Sequence, residues 1–239
     1  MLLSLLGAAV LLTLALLGGT GQLDGLLDPP SGEEGTGAGA GGGSGEDGAT
    51  GDAGSGGGRE VTGDPDLARR LLSELEVGEW ASTRGYSRDR FPHWRRVDGC
   101  DVRQTVLIRD GEDVVVDDDC RVQSGTWLSP YDGRTFTDPG DLDIDHIVPL
   151  ANAWRTGAAE WDDERRADFA NDLERPQLIA VSATTNRAKG DQDPSQWAPP
   201  EHDYWCQYAQ DWIAVKHYWQ LWVTSSERDA LENMLDTCG

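Results

Sequence analysis

An aspartate beside a histidine, followed by two asparagines and a lysine, is the part of this chain best equipped for chemistry. The segment reads Asp143-Ile144-Asp145-His146-Ile147-Val148-Pro149, with Asn171, Asn186 and Lys189 downstream. A carboxylate and an amide oxygen suit a hard divalent cation that keeps most of its water. Such a cation neutralises a backbone phosphate and stabilises a departing 3′ oxygen. An imidazole with an unperturbed pKa near ~6.5 is the natural base for the attacking water. Asp145 and Asn186 are therefore the expected metal ligands, and His146 the expected general base. Neighbours on a strand point to opposite faces, so Asp145 and His146 diverge unless the backbone bends. A twisted or bulged strand end is expected there, with Pro149 ending the pairing. Asp143 stands equally as a supporting acid and as an acid on the solvent face.

The elements that must hold these residues are short. Leu142 to Pro149 reads as one strand and Gln177 to Val181 as another, and Ser182 can cap a helix from Ala183 to about Lys189. Two strands and a helix, with Asp-His on the first strand and Asn on the helix, form a ββα-metal arrangement. Between them, 151–157 and 162–173 look helical. Upstream, Asp64-Pro65 opens a helix carrying Leu67, Leu71, Leu72 and Leu75 and running to about Glu76. Residues 80–99 are rich in arginine and aromatics and look irregular. Val106-Leu107-Ile108 and Val114-Val115-Val116 flank Asp110-Gly111-Glu112-Asp113, a hairpin signal, and 127–139 reads as turns. The tail reads as two helices, 204–223 and 225–237, the second opened by the capping box Thr224-x-x-Glu227. The regularly spaced tryptophans of the first, Trp205, Trp212, Trp219 and Trp222, are expected in the core rather than on a base-stacking platform. His93, His202 and His217 lack matching partners and read as surface or satisfied interior residues.

Asp145-His146-Ile147-Val148-Pro149, Asn171-Asp172-Leu173 and Asn186-Arg187-Ala188-Lys189 together resemble the HNH endonuclease superfamily. More closely, Asp143 to Trp154, Phe169 to Leu173 and Lys189-Gly190-Asp191…Pro194…Trp197 resemble the C-terminal domain of GmrSD-type restriction endonucleases, a domain also carried by stand-alone secreted actinobacterial proteins. The resemblance extends over roughly 80–239 and includes Tyr86-x-Arg88…Phe91…Trp94 and Cys100-Asp101-x-Arg103, to which it assigns no roles. It implies an α+β fold: a ββα-metal nuclease core, 142–190, with an added N-terminal hairpin and C-terminal helices. It implies His146 as base, Asp145 and Asn186 as ligands, Asn171 as the residue orienting the metal loop, and Lys189 as a phosphate contact one turn beyond Asn186. The asparagine in the third motif position argues for Mg²⁺ or Mn²⁺ over zinc. Arg103 is added as a candidate phosphate contact.

The rest of the chain bears on where such an enzyme works. Residues 1–30 open with a nearly continuous apolar run and read as an export signal or N-terminal membrane anchor. They lack the positive charge that usually precedes such a run, since no Lys or Arg comes before Arg59. Residues 31–58 read as a flexible acidic Gly-rich linker, leaving 59–239 as one nuclease domain. Four cysteines, Cys100, Cys120, Cys206 and Cys238, allow three disulfide pairings. None sits in a Cys-x-x-Cys pair, so zinc spacing is absent. Cys100–Cys120 and Cys206–Cys238 are favoured because each pair brackets one local unit; four reduced thiols are the alternative. A net charge of −23 argues against tight nucleic-acid binding, yet seven arginines between Arg84 and Arg109 make that stretch locally basic. The reading is a secreted or surface-anchored monomeric endonuclease acting on nucleic acid, DNA before RNA, and touching membrane only if its N-terminal segment is retained. Its rival is an exported binding module on an inactive nuclease fold.

Overall fold

A computed structural model describes residues 63–239. The expected export segment, the linker and residues 59–62 lie outside the described residues. The helix expected at Asp64 is present as α1 (Pro65–Glu74), where the Asp64 carboxylate accepts from the backbone of Asp66 and Leu67. Next come β1 (Arg96–Val97), β2 (Cys100–Asp101), α2 (Val102–Asp110), β3 (Glu112–Val116), β4 (Val122–Ser129) and β5 (Arg134–Phe136). Then follow β6 (Leu142–His146), α3 (Leu150–Arg155), α4 (Asp163–Ala170), β7 (Leu178–Ser182), α5 (Ala183–Lys189), α6 (Trp205–Trp219) and α7 (Ser225–Leu235). The fold is α+β, with three small antiparallel sheets: β1-β2, β3-β4-β5 and β6-β7. Among the described residues no helix is long and apolar enough to cross a membrane.

The hairpin reading needs correction. Val106-Leu107-Ile108 is helical, and the hairpin is β3 with β4. Asp101 caps α2 by accepting from Gln104 N at 2.9 Å. Val102, Val106 and Leu107 are fully buried while Ile108 faces solvent, a helical rather than an alternating pattern. Burial of that face overrides the β-branched bias of the stretch. The run 127–139 is likewise more than turns: it holds the end of β4 and all of β5. Trp127 is fully buried there and donates to the Leu107 carbonyl at 2.8 Å. A Cβ at Gly125 would stand 2.6 Å from its ring, and one at Gly111 would also collide with it, so two glycines make the room.

Two apolar clusters meet at the β6-β7 pair. On one face Leu142, Ile144, Leu178 and Ala180 pack with Val102, Val106, Leu107 and Trp127. On the other, Ile179 and Val181 join the larger cluster with Tyr131, Tyr208, Trp212 and Ile213. Trp212 is fully buried and Trp219 nearly so, as expected for core residues, while Trp205 and Trp222 are half-buried and Trp222 lies beyond the helix. Helix α6 is shorter than expected because Gln220 adopts a left-handed conformation, φ 57°, and stops it. The Thr224–Glu227 capping box opens α7. Disulfides join Cys100 to Cys120 and Cys206 to Cys238, across 20 and 32 residues.

Candidate active site

The register of β6 on β7 is continuous from Leu142↔Ser182 to His146↔Leu178. The bulge expected at Asp145-His146 is absent. Pairing even outlasts the strand: Ile147 N donates to Gln177 O at 2.8 Å, and the buried Gln177 amide bridges Val148 N and O at 3.1 and 3.0 Å. Pro149 then ends the pairing and precedes α3. In a regular strand the two side chains diverge, and they do. Both nevertheless border one pocket, together with Tyr86, Arg88, Asn186 and Asp191.

Asp145 turns toward α5 and the larger core. Its Oδ2 accepts from the Tyr131 hydroxyl and from Lys189 Nζ, each at 2.5 Å. Lys189 Nζ also donates to the His146 carbonyl at 2.8 Å. Lys189 is completely buried, so it holds Asp145 in place and does not reach out to a phosphate, contrary to expectation. Burial pushes the Asp145 carboxyl above its ordinary range and the Lys189 ammonium below its own, while each charge draws the other back. Burial and the Asp145 charge also raise Tyr131 well above an ordinary phenol, which keeps the proton on the Tyr131 hydroxyl, donated to Asp145 Oδ2.

His146 turns the other way. Its Nε2 lies 3.0 Å from the Ala170 carbonyl. A carbonyl only accepts, so Nε2 carries the hydrogen and Nδ1 the lone pair. Burial lowers the ring's pKa to about 3, opposed by the Ala170 bond and reinforced by the charges of Arg88, His93 and Lys189. The imidazole is therefore neutral across the physiological range, the state a base requires.

Asn171 sits outside this pocket and acts through the backbone beside it. It caps the end of α4, next to Ala170. Its Oδ1 accepts from Arg95 N at 2.9 Å, and its Nδ2 donates to the carbonyls of Pro92 and Ala167 at 2.8 and 2.7 Å. Those bonds clamp the segment carrying His93 and Trp94, whose rings lie 6.2 and 6.0 Å from the His146 ring between centroids. Trp94 is held at φ 65°, a strained conformation for a bulky residue that persists only where its surroundings impose it.

Asn186 lies on α5, whose start is fixed by Ser182 and Thr185 hydroxyls donating to Asp132 at 2.7 and 2.8 Å. Hydrogen bonds from these residues and Ser129 outweigh burial and hold the Asp132 carboxyl below its usual range. The Asn186 amide nitrogen donates to Asp143 Oδ2 at 3.3 Å. Asp143 is thus a supporting acid behind Asn186. Arg103 stands apart: its guanidinium donates to the Pro139 and Leu142 carbonyls at 3.1 and 3.0 Å, bracing the entry to β6. His217 pairs with Glu74 at 2.8 Å and His202 stacks on Trp205, but His93, read as uninvolved, packs against His146. Tyr131, His93 and Trp94 were not legible as site residues. Tyr131 sits in a turn-rich run; the Arg-aromatic composition of 80–99 pointed toward the other two, and the family-like Tyr86-x-Arg88…Phe91…Trp94 segment toward Trp94, without a role.

The model of the C-terminal domain of GmrSD restriction endonucleases matches residues 113–234, a shorter span than the expected 80–239. A protein of Arthroderma benhamiae described as an uncharacterized secreted protein is 55% identical over 172 residues, covering 72% of this chain and 84% of the relative. No solved structure matches. With the β6-β7-α5 unit and its polar residues inside the matched span, the chain belongs to the family of the GmrSD restriction endonuclease C-terminal domain.

Proposed function

We propose that the pocket at the end of β6 hydrolyses phosphodiester bonds by the HNH strategy, with β6, β7 and α5 as the ββα-metal core. The observation that carries this reading is the state of His146. Ala170 fixes its tautomer and leaves Nδ1 as the lone-pair nitrogen, and the residue borders the same pocket as Asp145 and Asn186. Asp145 and Asn186, backed by Asp143, offer oxygen donors only, which fits Mg²⁺ or Mn²⁺ better than zinc. When bound, the cation supplies charge neutralisation at the scissile phosphate and stabilisation of the departing 3′ oxygen.

His146 Nδ1 takes the proton of the attacking water. The Ala170 carbonyl holds the ring as it becomes positive, and Trp94 restricts its rotation. Lys189 and Tyr131 lock the Asp145 carboxylate in one orientation, and Asn171 keeps the His93-Trp94 segment in place. The family's description as restriction endonucleases favours DNA over RNA. The secreted description of the Arthroderma relative and the two disulfides support an extracellular protein.

The test is cleavage of plasmid DNA and of RNA with Mg²⁺, Mn²⁺ or EDTA, by wild type and by His146→Ala. Loss of a general base costs roughly 10²- to 10⁴-fold in rate, with the circular dichroism spectrum unchanged. A His146→Ala protein that cuts as fast as wild type overturns the mechanism; wild-type cutting in EDTA overturns the metal.

A further inference from the structure

Of the seven arginines between Arg84 and Arg109, the fold occupies five. Arg90 faces Asp163 at 3.5 Å, Arg95 faces Asp168 at 2.6 Å, and Arg96 donates to the Gly99 carbonyl. Arg103 braces two carbonyls, and Arg109 bonds Asp110 and the Leu178 carbonyl at 2.7 and 2.6 Å. Arg84 and Arg88 face no carboxylate among the described residues. Arg88 alone of the seven borders the pocket with Asp145, His146 and Asn186.

Arg88 is also oriented. It opens a short 3-10 turn, Arg88–Arg90, capped by the Ser87 hydroxyl. Its Nε donates to His93 Nε2 at 3.3 Å. His93 Nδ1 lies 2.7 Å from the Phe91 carbonyl, which fixes the hydrogen on Nδ1 and leaves the Nε2 lone pair facing Arg88. The guanidinium is thus steered through its Nε edge, and its terminal nitrogens take no acceptor among the described residues. Two terminal N–H groups in a fixed plane match the spacing of two phosphate oxygens. The pocket needs such a group. Lys189, the nearby cation, is buried against Asp145 behind the pocket wall, and the pocket's own Asp145 and Asp191 would otherwise repel a polyanion.

We propose that Arg88, held in position by His93, is the side chain of this pocket that binds the phosphate of a nucleic-acid backbone. The proposal rests on the nuclease reading for its substrate class. Arg88 touches substrate; His93 is a positioning residue that acts through it.

The experiment uses His146→Ala protein so that DNA stays intact, and reads anisotropy of a short labelled duplex from 50 to 200 mM NaCl at fixed Mg²⁺. One phosphate contact contributes about 0.9 to the slope of log K against log salt. Arg88→Ala is expected to flatten the slope by about that amount and to weaken binding several-fold at the lowest salt. His93→Phe, which keeps a ring against Trp94 but offers no acceptor, is expected to lose part of the same affinity. His93→Gln, which retains an acceptor, is expected to keep it. An unchanged slope in Arg88→Ala overturns the phosphate contact, and wild-type binding in His93→Phe overturns the positioning role. If wild type still cuts DNA in either case, the nuclease reading stands without this proposal; if wild type neither cuts nor binds, both fall.

Discussion

Two buried lysine-carboxylate pairs sit in this molecule, and they do different work. In the core, Lys216 Nζ meets Glu227 Oε1 at 2.7 Å with both side chains wholly inaccessible. Lys216 also donates to the Trp222 carbonyl at 2.8 Å, and Glu227 Oε1 accepts from Trp212 Nε1 at 2.7 Å. Glu227 also completes the cap of α7. The ion pair and the Trp212 bond tie α6 to α7, and the Trp222 bond ties α6 to the segment between them. At the pocket, Lys189 is just as inaccessible, but its partner Asp145 keeps 8% of its side chain open. The bonds from Tyr131 and Lys189 converge on a single oxygen, Oδ2. The first pair is closed; the second is a carboxylate anchored from behind and presented forward. Burial of a charge pair is thus a poor guide to role, and the small opening on one partner is the better one.

The sharpest way to break that comparison is to remove each ammonium. Lys216→Met leaves Glu227 buried without its counter-charge and is expected to cost about 3 to 5 kcal/mol, a melting-point drop of roughly 10 °C, which divalent metal does not restore. Lys189→Met is expected to cost about 3 kcal/mol, somewhat less because Asp145 retains access to water. Here Mn²⁺ should recover stability, by about 2.7 kcal/mol at a hundredfold excess over its Kd, and by more than it adds to wild type. Equal metal responses in the two lysine variants, read by thermal denaturation, would remove the distinction. Tyr131→Phe deletes one hydrogen bond to the Asp145 carboxylate and is expected to cost about 2 kcal/mol, measured by urea denaturation, with a further loss of cleavage rate as the carboxylate loosens.

The last effect concerns pH and is read as a slope. The folded-state pKa of His146 is depressed to about 3, against an ordinary value of ~6.5. Between these values the unfolded chain binds the proton that the folded protein refuses. Stability is therefore full above the ordinary pKa and falls as pH drops toward the depressed one, by about 1.4 kcal/mol per unit at the steepest. Unfolding free energies of wild type and His146→Leu across this window should differ in slope by about that amount. Parallel curves would mean that the ring takes its proton in the folded state.

Much of this could be read from the chain because the informative signals were local. The run Asp143 to Pro149, the Ser182 cap, the Asp64-Pro65 start and the Thr224–Glu227 box are each decided within a few residues, and each stands where the sequence put it. Spacing alone likewise paired the cysteines. The failures came where distant contacts decide. Val106-Leu107-Ile108 carries β-branched residues yet forms a helix, because its buried face packs on Trp127 and on the far side of β6-β7. Lys189 sits one turn beyond Asn186 on paper, but its side chain runs inward to Asp145 rather than outward. Arg103 looked free and is occupied by two carbonyls from 36 and 39 residues away. Tyr131 joined the site across 14 residues from Asp145 with no pattern to announce it.

The unbroken register of β6 on β7 carries one more consequence. Asp145 and His146 are separated by the thickness of a two-stranded sheet: one is set by Lys189 and Tyr131 behind it, the other by Ala170 and Trp94 on the opposite side. Each side chain can therefore be retuned from its own side of the sheet, with Lys189 the shared support, since it bonds both Asp145 Oδ2 and the His146 carbonyl. The same arrangement makes the frame of the strand unforgiving. Inserting or deleting a single residue within Leu142–His146 would send the imidazole to the lysine and the carboxylate to the Ala170 carbonyl, inverting the site while leaving its composition untouched.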